Sequence, residues 1–267
     1  MSDVLLFDLS QQLEKLFAEK RYASGFALGR HILQFYPRHL PTYKQMGLAA
    51  LTAGLTADSA DLLQRALSAD PEDGDMWAAL HDATTQLAMH PDAEVAGTYA
   101  HDLLRPEAND SIIAQGHLAM QAGEWKTAYE AYRTGYLAHP QRMDAGLGLM
   151  TALFHLEQWR AALQVTQHIL AELPYSLKAL WFAVRCAYLL DDHTLPIQRH
   201  LRTAHSLDPD DLYVIRWFDD IPDEEIPRPQ ATLPAWDDSE LWEHWVSRSA
   251  SEPKPPSQEI QATLKLG

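Results

Sequence analysis

The chain is predicted to be all-α, an array of about six stacked helix pairs, and three observations point there. First, prolines fall at Pro37, Pro71, Pro106, Pro140, Pro174 and Pro209, at intervals of 34 or 35 residues. Proline has no N–H and pushes the residue before it out of helical geometry, so a regular proline series marks regular helix ends. Second, residues 109–140 set small side chains at fixed points. Counted from Asn109 as position 1, Gly116 is 8, Ala119 is 11, Gly123 is 15 and Ala128 is 20. Between them stand Ile112 at 4, Trp125 at 17 and Tyr132 at 24, so small residues mark close helix approach and large ones fill the space beside it. Third, the composition is 46% hydrophobic and 22% charged, which suits a chain that buries a core.

The other units repeat this plan less strictly. The first, about residues 6–39, has Leu9, Leu13 and Leu16 at helical spacing, then Tyr22 at 17 and Gly25 at 20. The second, residues 40–71, carries Tyr43, Met46, Gly47, Gly54, Ser59, Leu63 and Ala66 at 4, 7, 8, 15, 20, 24 and 27. Asp58 is the expected start of its second helix. The third opens well with Trp77 and Leu80, but His81 takes the small eighth position and Pro91 falls in the turn, so an irregular pair is expected. The fifth, residues 143–174, keeps Leu149, Trp159 and Ala162 at 7, 17 and 20, and the sixth keeps Leu180, Leu201 and Ala204. Pro196 is expected to open the last helix of the sixth unit. Beyond Pro209 a capping helix is expected from Asp211 to about Asp219. Its Leu212, Val214, Ile215, Trp217 and Phe218 are too apolar to face water, so something should cover it.

The organisation divides at about residue 221. Residues 1–220 form the repeat domain; residues 221–267 form an acidic, proline-rich linker and tail. In that tail a short aromatic helix is expected over about 237–247, with Leu241, Trp242 and Trp245 on one face and Trp236 just before it.

Several function classes are disfavoured by the residues themselves. A formal net charge of −16 repels phosphate backbones and anionic lipid, so neither nucleic acid nor a membrane surface is an expected partner. Cys186 is the only cysteine, which rules out an intramolecular disulfide and any CxxC motif. The amino-terminal residues lack a basic region of the signal-peptide type, and no run is long and apolar enough for a membrane span, so the expected location is the cytoplasm. The 13 histidines form no HExxH and no close pair at ligand spacing; Gly-rich phosphate loops and GxSxG are absent too. No catalytic residue, metal or cofactor is expected.

The period and the small residues at positions 8 and 20 resemble the tetratricopeptide (TPR) repeat over about residues 6–219. Pentatricopeptide arrays, which read RNA, share the period, but acidity and the small-residue pattern weigh against them. The resemblance implies a right-handed α-solenoid whose concave groove is lined by positions 2, 5, 9, 12 and 13 of each first helix. Carried onto this chain, those positions give Glu14, Phe17, Lys44, Leu48, Leu51, Asp82, Asp110, Ile113, His117, Met120, Thr151, Phe154, Trp181, Arg185 and Tyr188. The implied function is a non-catalytic adaptor, scaffold or assembly factor that holds a peptide or helix of a partner protein, basic or amphipathic in character. One specialised TPR activity is not reproduced. The clamp for acidic chaperone tails needs Lys or Asn at points where this chain has Leu48 and Ala79, although Lys44 fits.

The tail adds an expectation of its own. A short segment with Trp236, Trp242 and Trp245 needs a surface to pack on: the apolar end around Trp217 and Phe218, the groove, where it would compete with ligand, or another protein to which it is offered as a linear motif. The competing class is a small-ligand sensor or regulatory subunit of an enzyme, with the tail as a lid.

Overall fold

The computed structural model describes residues 6–192 and 195–218. Among them twelve α-helices and no strand follow one another as six antiparallel hairpins, each packed on the next. The hairpins are α1 (Leu6–Ala18) with α2 (Tyr22–Phe35), α3 (Leu40–Thr52) with α4 (Thr56–Ala69), and α5 (Gly74–Gln86) with α6 (His90–Leu104). They continue as α7 (Ile112–Gln121) with α8 (Trp125–Ala138), α9 (Met143–His155) with α10 (Trp159–Glu172), and α11 (Leu177–Leu189) with α12 (Ile197–Leu207). The molecule is an α-solenoid of TPR-like repeats.

Local chemistry ends every helix in the same two ways. At the fifteenth position of each unit the backbone turns left-handed, with φ of 57° at Lys20, 77° at Gly54, 58° at Ala88, 71° at Gly123, 60° at Glu157 and 52° at Asp191. The next N–H then reaches back to the first helix at 2.8–2.9 Å in all six turns, from Arg21 to Leu16 through to Asp192 to Ala187. This is the six-to-one bond of a Schellman turn, which satisfies carbonyls left over at a helix end. Only two of the six residues are glycine, so hairpin packing imposes the turn even where a Cβ resists it. Each second helix stops at the residue before its proline: Tyr36, Asp70, Arg105, His139, Leu173 and Asp208 all have φ near −130° and ψ between 54° and 79°.

Three expectations are corrected here. The third unit is regular. Pro91 sits in the first turn of α6, where its missing N–H costs no helical bond, and His81 is accommodated by an exchange of sizes across the hairpin. In the second and fourth units a glycine of the first helix lies under a large residue of the second, Gly47 under Leu63 and Gly116 under Tyr132. In the third, His81 is the large partner and Gly97 the small one; a Cβ on Gly97 would come within 2.9 Å of the imidazole. Asp58 lies inside the first turn of α4 rather than at its start. The capping helix after Pro209 does not form: Asp211 adopts a left-handed φ of 56°, and only a 3-10 turn, Val214–Arg216, follows. Pro196 does stand at the start of α12.

The core explains the curvature. One cluster joins α3–α6 to α11, α12, Tyr213 and Val214; a second joins α7–α11. α11 belongs to both, with Trp181 facing the first and Phe182 the second. The array therefore curls until its sixth unit meets its second and third. Lys178 of α11 pairs at 2.8 Å with Glu72 in the α4–α5 turn, and Arg38 lies over the Tyr175 ring at 5.0 Å. A smaller cluster of Leu6, Leu13 and Ile32 holds the first hairpin. Among the described residues no helix is long and apolar enough to cross a membrane.

Candidate partner-binding groove

The inner face has an open part, a polar middle and a filled part. The open part is a cavity of about 530 Å³ between α1, α3 and the turn after Pro209. Glu14 and Phe17 come from α1, Lys44 and Leu48 from α3, and Leu212, Tyr213 and Arg216 close the side opposite. Four of the residues assigned to the groove from sequence are thus brought into one pocket. Phe17 is held by an edge contact with Phe26 (5.3 Å), and its ring fills the space that Gly25 leaves free. Lys44 is ion-paired with Asp73, which also caps α5 through the Met76 N–H.

Beyond Lys44, outside the cavity lining, lies an acidic turn under electrostatic stress. Asp70, Glu72 and Asp73 share the α4–α5 turn. Burial, then the neighbouring Asp73 and Glu72, push the Asp70 carboxyl up to about 7, with Arg216 and Lys44 opposing. Asp208 accepts the Leu212 N–H at 3.0 Å and the Tyr213 N–H at 2.7 Å, which fixes the turn over the groove. Burial raises its carboxyl to about 6 in spite of those donors. Arg216 lies over the Tyr213 ring at 4.3 Å.

The middle is a continuous polar network. The Tyr132 hydroxyl meets His117 Nδ1 at 2.8 Å, and His117 Nε2 meets Asp144 at 3.3 Å. Arg142 grips Asp144 through two bonds of 2.9 and 2.6 Å, reaches Asp102 at 2.7 Å, and stacks on Tyr99 at 4.2 Å. Burial alone would raise the Asp144 carboxyl, but the Arg142 guanidinium and the bonds from His117 and Arg142 hold it well below the usual carboxylate range. Every member has a partner and His117 is only 9% exposed, so the network ties α6, α7, α8 and α9 together. Tyr132 locks it sterically as well: its ring lies between Gly116 and Gly148, where a Cβ would fall 2.8 and 2.3 Å from ring carbons.

The filled part lies on α9 and α11. The Phe218 ring rests 5.7 Å from Phe154 and 5.0 Å from Phe182, with the Arg185 guanidinium 5.8 Å from its centroid. Trp217 packs beside it against both core clusters. These two aromatic residues, expected to receive the tail, are themselves seated on the concave face.

The remaining assigned residues divide by exposure. Ile113 is buried against Gly135 of α8; Thr151 is buried and bonds Leu147 O at 2.7 Å; Trp181 is 1% exposed with an edge contact to His205. Leu51 and Met120 are half-buried on the core, whereas Asp82, Asp110 and Tyr188 face solvent. Trp236, Leu241, Trp242 and Trp245 lie outside the described residues. Positional reasoning missed Tyr22, Leu212, Tyr213 and Arg216 as cavity residues. The signal for the last three was the apolar run after Pro209, which could not stand in water uncovered. Cys186 is buried in α11, and burial pushes its thiol up to about 12, so it is a packing residue. No three His, Cys, Asp or Glu side chains converge as metal ligands among the described residues.

Comparisons with known proteins add little to this geometry. No family model matches the chain. No curated protein matches it either. It is similar to a solved structure described as "Functional Characterization of Pseudomonas Aeruginosa pilF", at 14% identity over 75% of this chain and 90% of that one, with a TM-score of 0.33. A superposition that loose carries no argument about function.

Proposed function

We propose that the protein is a non-catalytic interaction module that receives a peptide segment of a partner protein on the open part of its concave face. The observation that carries this is the cavity itself. Apolar Phe17, Leu48 and Leu212 supply contact area while Glu14, Lys44 and Arg216 stand at hand to orient backbone and charge. A mixed rim of this kind suits an amphipathic segment, basic where it meets Glu14. The repeat domain is residues 1–220, and the polar network of Arg142 and Asp144 keeps the groove wall rigid.

A second reading has one observation in its favour: a volume of about 530 Å³ also fits a small molecule, as a sensor or regulatory subunit would need. Selection of a displayed peptide library on the full chain and on Leu48→Asp separates the two. The peptide reading expects sequences enriched on the parent chain to bind the variant at least about tenfold more weakly, one hot-spot contact being worth that much. Peptides that bind both equally would overturn it. A metabolite screen that raises the Tm of the parent alone would favour the sensor.

A further inference from the structure

The segment Leu212–Phe218 is seated on the concave face as a ligand would be. It leaves α12 through the Asp208 clasp, buries Tyr213 and Val214 in the first core cluster, and ends with Phe218 in a box made by Phe154, Phe182 and Arg185. Phe154 and Arg185 stand at repeat positions that line the ligand groove in the resembled family. The two halves of the segment are held unequally: Val214 is fully buried, whereas Trp217 and Phe218 are only half-buried at the edge. An anchored stem with a shallow aromatic end can part from its seat without unfolding the array.

We infer that the Phe154–Phe182–Arg185 box is a second recognition site for protein segments, occupied in cis by Phe218, and that its trans ligands are segments that present an aromatic side chain to it. The occupant specifies that chemistry: Phe218 sets one aromatic ring against two rings and a guanidinium. The inference rests on the reading of the concave face as a peptide-binding surface, but at a different place from the Leu48 cavity. A cis occupant lowers the apparent affinity of any trans ligand by the fraction of time the box is empty.

The test uses the full chain and one probe, a fluorescent peptide of residues 212–218 with blocked ends. The Phe218→Ala chain should bind this peptide about tenfold or more tightly than the parent does. Adding Arg185→Ala should remove most of that gain, and a peptide with alanine at its last position should not bind. A folded Phe218→Ala chain that ignores the peptide, or binds it no better than the parent, overturns the inference. So does binding that Arg185→Ala leaves unchanged. Should Phe218→Ala fail to fold, amide exchange on the parent decides. Exchange at Trp217 and Phe218, whose N–H groups bond Val214 O at 3.0 and 3.2 Å, through an opening that leaves α9 and α11 protected supports a displaceable segment. Exchange only with global unfolding overturns it. Leu48→Asp is measured beside these, so the box can fail while the cavity stands, or the reverse.

Discussion

The first two and last two hairpins share one repeat geometry and differ in what lies over their inner faces. On α1 and α3 the groove positions Glu14, Phe17, Lys44 and Leu48 border open volume. On α9 and α11 most of the equivalent positions are covered: Thr151 and Trp181 are buried, Phe154 and Arg185 hold Phe218, and Tyr188 alone of those assigned faces solvent. The helices are not distinguished by composition alone, since Phe17 and Leu48 are as apolar as Phe154. What differs is the chain's own return across the face after Pro209. A repeat position on this face is therefore open surface or covered according to where a distant segment lies.

The largest expected consequence is an asymmetry in stability. Trp181→Ala empties a fully buried site in the first core cluster and should cost about 3–5 kcal/mol in chemical denaturation. Leu48→Ala, at the open end, should cost about 1 kcal/mol, since a half-buried side chain loses less contact. Equal losses would break the comparison. Gly148→Ala comes next. Its Cβ would lie 2.3 Å from the Tyr132 ring, and the overpacking should cost about 1–3 kcal/mol.

A smaller effect is set by pH. The folded-state pKa of Asp70, about 7, lies above its ordinary 3.8, so its stabilising contribution is full below about pH 4 and lost as pH rises through 7. Asp208, at about 6, acts with the same sign over a lower window. Asp70→Asn should therefore flatten the fall in Tm between pH 5 and 8 and be the more stable chain, by a few degrees, at pH 8. Parallel curves would show that the acids of the α4–α5 turn carry no stress. Ala88→Gly relieves a left-handed Cβ at φ 58° and should stabilise by up to about 1 kcal/mol. Least of all, Tyr188→Ser, on a residue 65% exposed, should stay within about 0.5 kcal/mol of the parent.

Much of this architecture was legible in local chemistry. The proline series placed all six ends of the second helices because the constraint acts on one adjacent residue. The left-handed turns were half legible: Gly54 and Gly123 announce them, but Lys20, Ala88, Glu157 and Asp191 adopt the same φ under tertiary pressure. His81 read as a defect because position 8 was weighed without position 24, where Gly97 compensates. The apolar run Leu212–Phe218 suggested a helix by composition, yet Asp211 breaks it and the run serves as a cover. Helical periodicity says which side chains point inward on one helix. It does not say which segment, distant in sequence, lies on top of them, and so Trp181, buried with Tyr213 and Val214, could not be told from Leu48.

The division of the groove is tested most directly by methyl-resolved NMR on the full chain, titrated with a peptide selected on the parent. Shifts should concentrate at Leu48, Leu51 and Leu212, with Ile113 and Leu147 unmoved. Shifts centred on Ile113 and Leu147, or spread over the outer helices with Leu48 silent, would contradict it.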